Sequence, residues 1–272
     1  MTVPESEYLS PVWRDGIFNG RVVFVTGGAG TICSMQTRAL VRLGANACIL
    51  GRNVEKTEAA AKDIALVRPG AKVIGIGGCD VRNPEALKAA ADKCAKELGG
   101  IDFVIAGAAG NFIAPIDGLS PNAFKSVIDI DVLGTFNTIK ATIPHLLRSS
   151  SPRIVFVSAT FHFTGMPLQS HGTEGLARLG SSKEEDRRSY VKSIPSGRLG
   201  TVRDIADATV FLFSEAGTYV NGQVIPVDGA AWRRQGDVKV GLDESMSYPE
   251  FLLSGDISKN LRDPRKTSKP KL

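Results

Sequence analysis

The sequence predicts an α/β fold, a doubly wound parallel sheet with helices on both faces, incomplete in its second half. Three observations carry this. Through the first 150 residues, short β-branched runs alternate with longer helical patterns. A glycine cluster, Gly27-Gly28-Ala29-Gly30, sits where the first such run gives way to the first helical pattern. From residue 161 to 201 the alternation stops, and only 11 of 41 residues are apolar. Strand-helix alternation builds right-handed βαβ units, whose strands are parallel and buried on both sides. A 41-residue stretch without a β-branched run is too long for an ordinary loop inside such a sheet.

Residues 21–26 (RVVFVT) read as the first strand, because an unbroken apolar run bounded by glycine suits a strand covered on both faces. Residues 31–43 follow as a helix, 47–50 as the second strand and 54–67 as the second helix. The third strand is expected at 72–76. The next helix opens at Pro84 and ends near Gly99. Proline is tolerated in a first helical turn, and glycine readily turns left-handed past the last one. Residues 102–106 make the fourth strand, 121–147 a long helical region and 154–157 the fifth strand. Regular structure resumes with a helix at 202–213 and a last strand at 223–227. Residues 1–232 are expected as one domain and 233–272 as a polar, basic tail.

With 43% apolar residues the chain is not wholly disordered. Its net charge is +5, of which residues 233–272 supply +3 from nine Lys/Arg against six Asp/Glu. That is an ordinary surface with a basic tail; nucleic-acid binding would need a denser basic stripe. The longest apolar runs are strand-sized, so no membrane span is expected. The first eight residues carry two Glu and no apolar core of a secretory signal. Cys33, Cys48, Cys79 and Cys94 form no CxxC pair. Buried free thiols are expected, with no disulfide and no metal site.

The segment Thr26-Gly27-Gly28-Ala29-Gly30-Thr31-Ile32 closes the first strand and opens the first helix. Small residues let backbone approach a pyrophosphate, and the helix N-terminus offers it unpaired N–H groups and a positive dipole end. In this strand-turn-helix context the cluster points to dinucleotide binding. After the second strand, where an acid would hold the ribose hydroxyls of NADH, stand Arg52 and Asn53, with Lys56 one turn on. A guanidinium there suits the 2′-phosphate of NADPH; the competing reading is a solvated surface residue. Asp80, at the end of the third strand, either accepts from an adenine amino group or caps the helix that follows.

These residues, with Asp80-Val81, Ala106-Gly107 and Val227-Asp228-Gly229, resemble the short-chain dehydrogenase/reductase family, whose sheet is Rossmann-like. The runs 108–112 (AAGNF), 119–125 (LSPNAFK), 129–131 (DID), 134–137 (GTFN), 158–160 (SAT) and 172–176 (GTEGL) resemble its peroxisomal 2,4-dienoyl-CoA reductase branch, particularly fungal members. The turn departs from the usual pattern by placing Thr31 and Cys33 where glycines are common. The resemblance implies reduction of a 2,4-dienoyl-CoA to a 3-enoyl-CoA in unsaturated fatty acid β-oxidation. NADPH would supply a hydride to the δ-carbon, and the α-carbon would be protonated. It places the dinucleotide against Gly27, Gly28, Gly30, Thr31, Ile32, Arg52, Asn53, Lys56, Asp80, Val81, Ala106 and Gly107. It places the acyl-CoA against Arg52, Arg82, Phe112, Ser120, Asn122 and Arg178. Arginines suit CoA phosphates, and Phe112 suits an acyl chain or the core. The sole catalytic candidate is Asp131, where most of the family carries Asn. It would orient a water or a lysine, or else serve as a surface or capping acid. Ala159 falls at the position of the usual catalytic serine, and the histidines carry no assigned chemistry.

Most of the family uses a Tyr-x-x-x-Lys one helical turn apart. Here Tyr8, Tyr190, Tyr219 and Tyr248 are followed four residues on by Val12, Ile194, Gln223 and Leu252. Against the family pattern, His171 runs directly into Gly172-Thr173-Glu174. One helix-strand unit after strand five is absent near 171–172, on the order of 30 residues. With it go the family's Lys, the neighbour of the last strand and the packing partner of the 121–147 helix. The resemblance implies a homo-oligomer, and the absent partner helix argues against that assembly here. The C-terminal Pro270-Lys271-Leu272 resembles an address read by the peroxisomal import receptor. It implies the peroxisomal matrix, or the cytoplasm if unread. Rival readings are an inactive nucleotide-binding pseudoenzyme, a splice form or gene-model error, and a reductase of another enoyl or carbonyl substrate.

Overall fold

The computed structural model describes residues 3–110, 120–159, 191 and 194–234. The chain divides into two compact units. The first is Met1–Ser170 with Gly200–Asp228, and the second is His171–Leu199 with Gly229–Leu272.

The first unit holds a parallel sheet of β1 (Val22–Thr26), β2 (Asn46–Leu50), β3 (Val73–Ile76), β4 (Phe103–Ala106) and β5 (Arg153–Phe156), ordered β3-β2-β1-β4-β5. Pairing is parallel throughout, with Val25 opposite Ile49 on one side and Ile105 on the other. Helices α1 (Thr31–Arg42), α2 (Val54–Ala65), α3 (Pro84–Leu98), α4 (Pro121–Val127), α5 (Gly134–Leu146) and α6 (Val202–Phe213) connect or follow the strands. A π-helical stretch, Ile128–Leu133, joins α4 to α5.

Side chains alternate across a strand, so β1 feeds two cores. Val23 and Val25 pack with Leu40 of α1, Ile64 of α2 and Val210 of α6. Val22 and Phe24 pack with Leu87 and Cys94 of α3 and Leu146 of α5. On the first face, Phe103 stacks on Phe213 at 4.7 Å and meets Phe18 edge-on at 5.5 Å. At the entry edge of the sheet, the Asp102 carboxylate accepts from the Val22 N–H at 2.9 Å and pairs with Arg21. Punctuation is as expected for α3: Pro84 stands in its first turn and Gly99 ends it at φ +95°.

Two expectations change. Residues 223–227, expected as the last strand, form no strand; Val224 and Ile225 are exposed. Extended chain becomes a strand only where a neighbour pairs its N–H and C=O groups, and the described sheet ends at β5. The long helical region is three stretches, with the π turn in its middle. Four of its exposed apolar side chains, Phe124, Ile128, Val132 and Phe136, fall four residues apart. Of residues 161–201, all but 191 and 194–201 lie outside the described residues, as does the tail beyond Arg234. In the second unit, Ser196 donates its N–H to the Gly229 carbonyl at 3.2 Å, and Arg233 lies over the Trp232 ring.

All four cysteines are free and buried. Burial pushes the Cys33 and Cys79 thiols up to about 11. A hydrogen bond with Cys94, then burial, pushes Cys48 well up. Near neutral pH that leaves Cys33 and Cys79 with about a hundredfold less thiolate than free thiols. The native protein should therefore resist an aromatic disulfide reagent at pH 8, and release four thiols on adding guanidinium. These raised values stabilise the fold below the ordinary thiol range. That contribution is lost as pH rises toward 11, which alkaline unfolding should register.

Candidate functional site

The carboxyl ends of β1, β2, β3 and β4 open onto one cleft of about 780 Å3. It lies where the strand order reverses, between β1 and β4, the place where open α/β sheets bind ligands. Its floor is the β1–α1 turn. Gly27 adopts φ +68°, and a Cβ there would stand 2.7 Å from the Gly107 carbonyl oxygen. A Cβ on Gly28 would meet Ile49 at 2.6 Å. Gly30 is the N-cap of α1 and brings no side chain to the helix end. The first-turn N–H groups of Thr31 and Ile32 are thus left for a ligand. Gly27 and Gly30 line the cleft, whereas Gly28 packs beneath it.

Cys33 stands one turn into α1, where glycine would be usual. Its sulfur packs on β4's exit, 3.8 Å from the Gly107 carbonyl, and a Cβ on Gly107 would lie 2.2 Å from it. The absence of a Cβ at Gly107 is what makes room for this sulfur. Thr26, buried at the tip of β1, accepts from the N–H groups of Gly107 and Ala108 at 3.2 and 3.3 Å. Ala106 is buried below this junction, and Gly107 and Ala108 reach the cleft.

Gly51 lets β2 turn sharply, since a Cβ would stand 2.4 Å from the Thr57 hydroxyl. Arg52, Asn53 and Lys56 follow at the rim, all exposed and all lining the cleft. Asn53 also caps α2, its side-chain oxygen accepting from the Lys56 N–H at 2.8 Å. Arg52 has no hydrogen bond or ion pair among the described residues.

Asp80 and Val81 form the third wall. Asp80 does not cap α3. That role belongs to Asn83, which accepts from the N–H groups of Glu85 and Ala86 at 3.1 Å. Asp80 instead grips Arg82 at 2.6 Å, and this guanidinium holds its carboxyl below the usual range. Arg82 is therefore spoken for in this structure. Behind them, Asn137 donates to the Val81 carbonyl at 3.0 Å, and Gly134 leaves room for the Val81 side chain.

Asp131 sits in the π stretch and accepts from the Gly110 N–H at 2.6 Å. It braces the segment after β4. A π turn at such a point is a frequent companion of functional sites. Ser120 caps α4 by accepting from the Ala123 N–H at 3.1 Å. Asn122 is exposed in the same helical turn. Phe112 and Arg178 lie outside the described residues, so the cleft assembles the nucleotide-side candidates, and no acyl pocket is described. Thr26 and Asn137 stand in the segments 26–32 and 134–137 singled out from the sequence, but their bracing roles had no local signal. Asn83 was missed, although Asn83-Pro84-Glu85 carried the ordinary start signal for a helix. Among the described residues no helix is long and apolar enough to cross a membrane, and no acid, His and Cys group could hold a metal.

Profiles of two families match in succession: short chain dehydrogenase over residues 21–171, and Enoyl-(Acyl carrier protein) reductase over 172–230. A peroxisomal 2,4-dienoyl-CoA reductase of Saccharomyces cerevisiae is 46% identical over 256 aligned residues, covering 81% of this chain and 87% of that protein. The one from Danio rerio is 35% identical, covering 81% and 84%. The crystal structure of levodione reductase superposes with a TM-score of 0.69 at 21% identity, covering 79% of this chain and 99% of that one, a likeness of fold.

The Cys33–Gly107 contact makes a checkable interlock. Gly107→Ala should cost about 1–3 kcal/mol, and Cys33→Ala in the same chain should restore most of it. Urea unfolding of wild type, both single variants and the double variant measures the coupling.

Proposed function

The chain belongs to the short-chain dehydrogenase family, and from that premise we propose an NADPH-dependent 2,4-dienoyl-CoA reductase by descent, whose chemical step is weakened in this chain. The observation that carries the reading is the glycine-floored cleft at the β1–β4 switch point, in a chain 46% identical to such a reductase. Family membership implies a nicotinamide cofactor, and the residues fit one. Gly27, Gly28 and Gly51 leave no room for a Cβ, and the α1 N-terminus is capped only by Gly30. The pyrophosphate would rest on that turn, near the N–H groups of Thr31 and Ile32. Arg52 and Lys56 supply positive charge where a 2′-phosphate would stand, the reason for preferring NADPH. Asp80 and Val81 would flank the adenine, and Ala106 and Gly107 would underlie the nicotinamide half. Bound there, the cofactor supplies the hydride.

The substrate half is less complete. Acyl-CoA is the substrate class, with Arg52, Arg82, Ser120 and Asn122 the described residues proposed to meet it. Phe112 and Arg178 are proposed from the sequence alone. A developing thioester enolate needs a hydrogen-bond donor and a proton source. Asp131 spends one carboxylate oxygen on the Gly110 N–H, which suits positioning better than proton transfer. The Tyr-x-x-x-Lys pair is absent from the sequence. The 256 positions aligned with the yeast enzyme exceed the residues in 81% of a 272-residue chain. The relative thus carries residues without counterparts here, which supports a missing helix-strand unit. The two family matches also meet at 171 and 172.

Assembly is proposed to be weakened, because the exposed apolar side chains on α4 and α5 lack the partner helix that the family resemblance supplies. The peroxisomal matrix is proposed as the location. The named relatives are peroxisomal, and Pro270-Lys271-Leu272 fits the import receptor's address.

Titration should show NADPH binding, with Arg52→Gln weakening it about 10- to 100-fold, the worth of a charged hydrogen bond, and leaving NADH unchanged. Equal loss for both cofactors would remove the argument for NADPH. On adding a dienoyl-CoA, loss of the nicotinamide absorbance band should be far slower than in the yeast relative. A comparable rate would refute the weakened step, and binding with no turnover at all would favour the pseudoenzyme.

A further inference from the structure

Asp80 faces the cleft, yet a single neighbour occupies its carboxylate. Arg82 Nε donates to both oxygens at 3.0 and 3.1 Å, its Nη2 to one of them at 2.6 Å, and its backbone N–H to the other at 2.9 Å. A carboxylate has about four acceptor positions, and one residue fills them. An adenine amino group reaching Asp80 must take a position that Arg82 now holds.

The neighbouring described elements are held without that grip. Asn83 caps α3 without it. The backbone on either side is fixed independently, by the Cys79 N–H on the Gly51 carbonyl and by Asn137 on Val81. The side chains are 44% and 27% exposed, so the pair is solvent-screened and opens at low cost. The Arg52 charge also acts to lower the Asp80 carboxyl. Asp129, whose charge acts on Arg82, is itself paired with Lys125 at 2.5 Å.

We infer that Arg82 is a latch on Asp80: the dinucleotide's adenine and the Arg82 guanidinium compete for one carboxylate. Dinucleotide binding therefore frees a cation at the cleft rim for an anionic group of the second ligand. This rests on the cofactor reading above and extends it. The two ligands are coupled through Arg82, and each tightens the other by the same factor. For an acyl-CoA the anionic group is a phosphate of the CoA moiety, to which a guanidinium is well matched.

The test is NADPH titration of the full chain, followed by nicotinamide fluorescence, with and without a saturated acyl-CoA that cannot be reduced. Wild type should bind NADPH about two- to fivefold more tightly with the thioester present. Arg82→Gln should bind NADPH alone more tightly than wild type does, and the thioester should then change nothing. A wild type indifferent to the thioester, a variant that binds NADPH no more tightly, or coupling that survives the substitution each overturns the latch. In those cases NADPH binding itself leaves the proposed function standing. If neither chain binds NADPH, the proposed function falls and the latch with it.

Discussion

The architecture of the first unit depends on one close approach. The tip of β1 and the exit of β4 run so near that Gly27 cannot carry a Cβ, and at Gly107 the space is taken by the Cys33 sulfur of α1. Thr26 fastens the two strands by accepting from both the Gly107 and Ala108 N–H groups. This junction sets where the glycine turn presents its backbone and where α1 begins. It also fixes the distance from the turn to the segment braced by Asp131. Cys33 fills the space beside β4, and Gly107 leaves room for its sulfur.

The two halves of the site differ in how they are held. On the nucleotide side the candidates stand at strand ends, in the turns that follow them or in the first turns of helices, all close to the hydrogen-bonded sheet. Val81 is pinned from behind by Asn137, and Asn53 is committed to α2. On the chemical side the described candidates are few. Asp131 is engaged with Gly110, and Ala159 brings no hydroxyl. A site of this kind binds before it reacts. Rigid, short-range contacts do not depend on distant elements, whereas proton transfer requires a donor and an acceptor placed at the reacting atoms.

Much of the fold was legible because local signals and packing agree. The apolar runs of β1 and β4 are buried on both faces and could only be central strands. Pro84 and Gly99 mark the ends of α3 where turn chemistry puts them. The reading failed where a partner decides. Residues 223–227 have the composition of a strand but no neighbour to pair with. Asp80 looked like a cap because acids often are one, yet Asn83 lies nearer the helix start and takes the role. The π stretch at Ile128–Leu133 has no sequence signature; it follows from how the long helix meets Gly110 and Val81. The bracing roles of Thr26 and Asn137 were invisible for the same reason, since their partners lie about 80 and 56 residues away.

Helix α6 has a consequence for how the protein is made. It packs on α1, where Gln36 donates to Thr209 across 173 residues of chain, and Asp207 accepts from Ser10 and Trp13 of the N-terminal segment. One face of the sheet therefore waits for a helix synthesised last. At about 5–20 residues per second, the ribosome takes roughly 10–35 s to span that interval. During that time the side of α1 that meets α6, and the face of Phe103 that stacks on Phe213, lack their final cover.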